Sequence, residues 1–311
     1  MKILVTGAAG FIGSHIVDAY VAAGHEVVAV DDLSTGLREN VNSRARFYEL
    51  SICNSQLDEL VADEKPEVIN HHAAQIDVRK SVTSPCFDAE VNILGSLRLL
   101  EAAKVAGTQF VIFASTGGAI YGEQDYYPAD EEHPLRPLSP YGVAKLAVEK
   151  YLTYYHLVHG IEYVALRYSN VYGPRQNPKG EAGVVAIFCE KILCGTQPII
   201  NGTGLQTRDY VYIDDVVRAN LAVLSANKQA INRPFNIGTG VETNVVTVFK
   251  LLKELIGSDV EQVHGPAKPG EQMRSVLDCK QAAVLLGWQA EVTLQEGLRR
   301  TVEYYKERRT K

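Results

Sequence analysis

The chain has 311 residues, 46% hydrophobic and 22% charged, with 25 glycines and 12 prolines. That profile belongs to a globular protein of one large domain or two interleaved ones, and it excludes collagen-like, disordered and disulfide-scaffold classes. Thirty-one Lys and Arg against 37 Asp and Glu leave a net charge of −6, with no basic surplus of the kind a nucleic-acid partner requires.

No run nears the ~20 apolar residues of a membrane span. The apolar start at Ile3-Leu4-Val5 stops after three residues, so no signal peptide is expected. The five cysteines are odd in number and contain no C-x-x-C pair. Neither a disulfide framework nor a zinc site reads out of that spacing, and the expected compartment is the cytoplasm.

Ile3–Val5 reads as a strand, followed by a Gly-rich turn and a helix over Phe11–Ala23. Glu26–Val30, Arg46–Tyr48 and Glu67–Ile69 read as further strands. A helix around Val91–Val105, a strand at Phe110–Ala114, a helix at Pro140–His159 and a strand at Glu162–Leu166 continue the alternation. It predicts right-handed crossovers and a parallel sheet with helices on both faces, a doubly wound α/β fold of Rossmann type. After about Val171 the pattern loosens at Pro174 and Pro178, then runs through a helix near Val184–Leu193 and a strand at Arg208–Ile213 leading into a helix from Asp214. Pro234–Ile237 reads as a strand, Val245–Ile256 and Leu294–Lys306 as helices. The expected organisation is a nucleotide-binding domain of residues 1–170 plus about 209–240. A smaller interleaved α/β substrate domain of 171–208 and 241–311 completes it.

Gly7, Gly10 and Gly13 join the first strand to the first helix with the spacing G-x-x-G-x-x-G. Glycine permits a tight reversal and close backbone approach, and the helix N-terminus offers N–H groups to a diphosphate. The same glycines also suit a plain turn; the flanking strand and helix favour the dinucleotide reading. Asp31 ends the second strand, where a carboxylate accepts from a ribose 2′-hydroxyl and repels a 2′-phosphate, so NAD is expected rather than NADP.

Tyr141 and Lys145 lie four apart on one helix face, with Ser139 a candidate cap. A phenol titrates near ~10, and an adjacent ammonium lowers that value toward service as a base. The Phe110–Ala114 strand runs into Ser115-Thr116 at its carboxyl end, where ligands of such sheets sit. His71-His72 point to opposite faces of a strand end, so no metal is expected.

These motifs carry a resemblance. VTGAAGFIGSH (5–15), DDLSTG (31–36), HHAAQ (71–75), ASTGGAIYGE (114–123), SPYGVAK (139–145), LRYSNVYGPRQ (166–176) and RDYVYIDDV (208–216) occur in order. Together they resemble the extended short-chain dehydrogenases/reductases, specifically the NAD-dependent nucleotide-sugar epimerase/dehydratase group and its UDP-glucose 4-epimerase branch. The resemblance implies 4-epimerisation of a UDP-sugar in galactose metabolism by transient oxidation at C4. Tyr141 would be the base, Thr116 or Ser115 the hydroxyl that binds the sugar 4-OH, and Lys145 the ribose ligand that depresses the Tyr141 pKa. It further implies NAD contacts from Phe11, Ile12, Asp32, Ser34, Gly36, Ser51, Ile52, Ala73, Ala74, Gln75, Asn92, Tyr168 and Val171. Asn170 and Arg208 would bind the diphosphate side of the sugar nucleotide, with Lys268, Glu271 and Arg274 as further substrate contacts. A homodimer through the helices near Val91–Val105 and Pro140–His159 is implied as well.

The chain departs from the group at several points. Ser51 stands where many relatives carry an Asp, and Met273 where an Arg is common. Ser275 stands where a bulky Tyr blocks an acetamido group in some relatives. Related 4,6-dehydratases carry Asp-Glu, and decarboxylases a Glu, where this chain has Ala119-Ile120, which favours epimerisation. The alternatives are 4-epimerisation of another nucleotide sugar, such as UDP-glucuronate or UDP-N-acetylglucosamine, and a non-catalytic NAD-binding sensor on the same fold.

Overall fold

Successive residues of the N-terminal strands point to opposite faces of the sheet, and both faces are apolar. In the computed structural model, which describes residues 1–178, 183–268 and 272–310, this pattern builds two cores. Ile3, Val5, Ile112, Ala114, Val164 and Leu166 fill one side. Leu4, Val28, Val30, Ile69, Val111, Phe113 and Ala165 fill the other.

The elements run β1 (Lys2–Thr6), α1 (Phe11–Ala22), β2 (Glu26–Asp31), β3 (Arg46–Glu49), α2 (Gln56–Glu64) and β4 (Val68–His71). Next come α3 (Val78–Thr83), α4 (Pro85–Ala89), a π-helical stretch (Glu90–Gly95), α5 (Ser96–Ala106), β5 (Phe110–Thr116), α6 (Pro140–His159) and β6 (Glu162–Tyr168). Then follow β7 (Asn170–Tyr172), α7 (Val184–Leu193), β8 (Ile199–Asn201), β9 (Thr207–Tyr212), α8 (Ile213–Leu224) and β10 (Arg233–Ile237). The chain closes with β11 (Glu242–Asn244), α9 (Val245–Ile256), β12 (Val263–Gly265), α10 (Lys280–Leu286) and α11 (Leu294–Thr310). Seven strands form one parallel sheet in the order β10-β6-β5-β4-β1-β2-β3. The order reverses direction between β1 and β4, the switch point beyond which ligands of doubly wound sheets lie. A three-stranded sheet, β11-β9-β7, and a two-stranded one, β12-β8, belong to the smaller α/β part.

Two expectations differ from the structure, and one helix is not legible in the sequence. The helix around Val91–Val105 is a composite of the π-helical stretch and α5, entered from α4. Helix α2 was not legible, because its inward positions Leu57, Leu60, Val61 and Glu64 end the apolar stripe on a carboxylate. Glu64 is tolerated inside because it accepts from Arg46 Nη1 and Tyr48 Oη at 2.6 Å and from Lys2 Nζ at 3.2 Å. The span from about 209, expected in the nucleotide-binding part, begins with β9, which pairs with β7 and β11 in the small sheet. The chain returns to the large sheet only with α8, which packs on α1, and β10, which pairs with β6.

Candidate active site

The turn between β1 and α1 is possible only with glycine. Gly7 has φ +66°, and a Cβ there would stand 2.7 Å from the Ala73 nitrogen. At Gly13 a Cβ would stand 2.1 Å from the Gly7 carbonyl oxygen. Gly10 closes the turn by donating its N–H to Gly7 O at 3.1 Å. Helix α1 has no side-chain cap and no acid in its first turn, which begins at Phe11 and Ile12; such an N-terminus suits an anion. Asp31, at the end of β2, accepts from Ala9 N at 2.9 Å and Leu33 N at 2.8 Å. Burial pushes its pKa up, and those amide groups oppose the rise. Gly36 crosses so close that a Cβ would lie 2.8 Å from Asp31 Oδ1, and Asp32 accepts from Ser34 N at 3.0 Å. A glycine cradle, an uncapped helix start and a strand-end carboxylate together fit a dinucleotide such as NAD.

Further along the same edge, Ser51 accepts from Cys53 N at 3.3 Å, and Ile52 is buried against Gly95. Beyond β4, Thr6 Oγ1 meets His71 Nδ1 at 2.7 Å and also accepts from His72 N and Ala73 N at 3.2 and 3.1 Å. His71 Nε2 meets Ser96 Oγ at 2.9 Å, and the His72 ring stacks on Tyr168. Burial pulls the His72 pKa down to about 3. Ala74 follows, partly buried. The Gln75 main-chain N–H donates to Asn92 Oδ1 at 2.8 Å. Tyr168 is buried, its hydroxyl accepting from Asn220 Nδ2 at 2.8 Å, and Val171 lies on β7 with its carbonyl accepting from Gln176 Nε2 at 3.2 Å.

Helix α6 starts where Ser139 Oγ accepts from Gly142 N at 3.1 Å, with Pro140 in the first turn. Tyr141 is half-buried and Lys145 buried one turn later. The Lys145 Nζ lies 5.8 Å from the Tyr141 ring centre and 4.7 Å from that of Phe113. It donates to the Ala114 carbonyl oxygen at 2.8 Å. Burial pulls its pKa down to about 8, while the charges of Asp88 and Glu149 push it up.

Of the two candidate hydroxyls, Ser115 faces the interior and donates to Glu149 Oε1 at 2.5 Å. Glu149 is itself clamped by Arg167, with Nη2 to Oε2 at 2.7 Å. This bond holds the Ser115 hydroxyl in the interior. Thr116 is on the partly exposed side, accepting from Ala119 N at 3.2 Å. A Cβ at Gly118 would meet Thr116 Oγ1 at 3.9 Å and Asn170 Oδ1 at 3.8 Å, so both groups border the same turn. A Cβ at Gly142 would lie 2.7 Å from Ala119 O. That turn is therefore pressed against the first turn of α6, next to Tyr141.

On the small-sheet side, the 273–275 segment runs beside β9, with Thr207 N donating to Met273 O at 2.9 Å and Asp209 N to Ser275 O at 3.0 Å. Arg208, between them, donates from Nη1 to its neighbour's carbonyl, Thr207 O, at 2.8 Å. Arg274 is held by Glu242, Nη2 to Oε1 2.6 Å, and lies over the Tyr127 ring. Lys268 is exposed, and Glu271 lies outside the described residues. Asp209 was not singled out from the sequence. It is buried and accepts from Thr239 N, Thr239 Oγ1 and Gly240 N at 2.7–3.0 Å. Its signal was its place next to Arg208, one inward position along the strand. Among the described residues no group of three His, Cys, Asp or Glu could hold a metal ion, and no helix is long and apolar enough to cross a membrane.

The UDP-glucose 4-epimerase of Mycolicibacterium smegmatis is 45% identical over 311 residues, covering 98% of this chain and 99% of that protein. The crystal structure of UDP-glucose 4-epimerase from Thermotoga maritima with UDP-glucose superposes with a TM-score of 0.96 at 49% identity, covering 99% of both chains. That of the Thermus thermophilus UDP-glucose 4-epimerase complex with NAD gives 0.93 at 43% identity, covering 98% of this chain and 99% of that one. The sequence model of the NAD dependent epimerase/dehydratase family matches residues 3–238, and the chain belongs to that family.

Proposed function

We propose that the protein interconverts UDP-galactose and UDP-glucose by inverting C4 of the sugar. The observation that carries this reading is the chemistry gathered at the end of β5. Tyr141, Lys145 and Thr116 would supply proton transfer and hydroxyl binding there, and Ala119-Ile120 bring no acid for elimination or for handling a carboxylated sugar.

Bound NAD would supply the reversible hydride acceptor for C4. It would be held by the Gly7–Gly13 cradle, by Asp31 and Asp32 with Ser34 and Gly36, and by the edge from Ser51 and Ile52 to Ala73, Ala74, Gln75 and Asn92. Tyr141, as the phenolate, takes the proton from the sugar 4-OH and later returns it. Lys145 places a positive charge beside that ring and so favours the phenolate. Thr116 hydrogen-bonds the same 4-OH and fixes its direction. Asn170 and Arg208 hold the diphosphate side, Arg208 through a planar fork of donors. Lys268, Glu271 and Arg274 would add phosphate and uridine-ribose contacts, the last carrying Glu242 with it.

The protein would act as a cytoplasmic homodimer. Val143, Tyr151, Tyr154, Leu157 and Val158 expose apolar side chains along α6, and Leu94 and Val105 do so on the neighbouring helix. A second copy of the same face would cover them.

Purified protein incubated with UDP-galactose should yield UDP-glucose. Tyr141→Phe should lower kcat by about 10²- to 10⁴-fold. No conversion by the unmodified protein, or undiminished conversion by the variant, defeats the reading.

A further inference from the structure

Asp88, on α4, is 1% exposed. Its Oδ1 accepts from Gln75 Nε2 and from Asn92 Nδ2, both at 2.9 Å. Asn92 also donates to the Gln75 carbonyl at 2.9 Å, so one carboxylate oxygen anchors the loop after β4 to the π-helical stretch. Such π turns recur at functional sites. The other oxygen, Oδ2, is enclosed and has no hydrogen-bond partner.

Anchoring the loop requires only an acceptor, which a neutral carboxamide would provide. An enclosed carboxylate with an unbonded oxygen loses solvation that a facing cation must offset. Helix α4 packs on α6, which carries Lys145. Burial raises the Asp88 pKa, the Gln75 and Asn92 amides and the Lys145 charge oppose that rise, and the Asp88 charge in turn raises the pKa of Lys145. Lys145 lies against the Ala114 carbonyl and Phe113 ring of β5 and near the Tyr141 ring of its own helix. The titratable groups whose charges act on it are Asp88 from α4, Glu149 from α6 and the imidazoles of His71 and His72 at the end of β4. Burial holds both imidazoles neutral. Glu149 is already neutralised by Arg167, so the unshared negative charge is that of Asp88.

We propose that Asp88 is a positioning residue of the reaction, holding Gln75 and Asn92 in place while supplying the counter-charge to the Lys145 ammonium beside Tyr141. The inference rests on the reading of Tyr141 and Lys145 as the reacting pair.

Asp88→Asn keeps an acceptor oxygen for Gln75 and Asn92 and removes only the charge. In ligand-free protein carrying isotope-labelled lysine, the Lys145 Cε resonance should titrate about one pH unit lower in this variant. The alkaline limb of kcat/KM for UDP-galactose should move down by a similar amount, with KM nearly unchanged. An unshifted Lys145 titration in folded Asp88→Asn protein overturns the proposal. If Asp88→Asn does not fold, Asp88→Ser is read by the same titration; failure of both to fold assigns the carboxylate to the fold alone and also overturns it. Should the unmodified protein not convert UDP-galactose, the proposed function falls, and the ligand-free titration still decides the counter-charge.

Discussion

Ser115 and Thr116 are adjacent, yet Ser115 donates into the buried Glu149 carboxylate at 2.5 Å while Thr116 keeps its hydroxyl on the side of the Gly118 turn. Strand geometry enforces the split, since neighbours in a strand face opposite ways. Thr116→Val should therefore lower kcat on the order of 100-fold, as loss of a hydrogen bond tightened in the transition state does, with the melting temperature held. Ser115→Ala should do the reverse. It leaves a buried carboxylate oxygen short of a donor, a loss of about 1–3 kcal/mol in a denaturant titration, with kcat little changed.

The pH dependence follows from Lys145. Burial brings its pKa down to about 8, so the ammonium is present below that value and is lost as pH rises through it. In the proposed mechanism, the support it would give the Tyr141 phenolate goes with it. Activity measured across neutral to alkaline pH should fall on an alkaline limb near that value, and Lys145→Met should abolish the limb together with most of the rate. For folding the sign is opposite. Between about 8 and the ordinary 10.5 the unfolded chain binds a proton that the folded one lacks, so this residue's contribution to stability rises with pH over that window.

Ser275 is buried beside β9, its carbonyl accepting from Asp209 N. With a small side chain there, the protein should also turn over UDP-N-acetylglucosamine. Ser275→Tyr should cut that turnover by about tenfold or more relative to UDP-galactose. Equal losses on both substrates would remove Ser275 from the specificity argument.

The exposed apolar stripe on α6 predicts association. Light scattering should give the mass of two chains, and Tyr154→Glu, which sets a charge in the middle of the stripe, should give the mass of one. A monomeric unmodified protein would assign the stripe to another use.

The parallel sheet and the glycine cradle were legible because they rest on local rules. Apolar runs such as Ile3-Leu4-Val5 and the spacing of Gly7, Gly10 and Gly13 follow from backbone geometry within a few residues. The Tyr141–Lys145 pair was legible for the same reason, since four residues make one helical turn. Helix α2 escaped because Glu64 occupies an inward position, and only its distant partners Lys2, Arg46 and Tyr48 make that position tolerable.

What the sequence by itself determined is the set of side chains and their order: a doubly wound sheet, a dinucleotide turn, a phenol one helical turn from an ammonium. Only the tertiary structure decided which way Ser115 and Thr116 face, that β9 belongs to the small sheet, and that Asp88 is enclosed between Gln75 and Asn92. Those outcomes depend on contacts between residues far apart in the chain, where packing and desolvation, rather than local backbone preference, set the free energy.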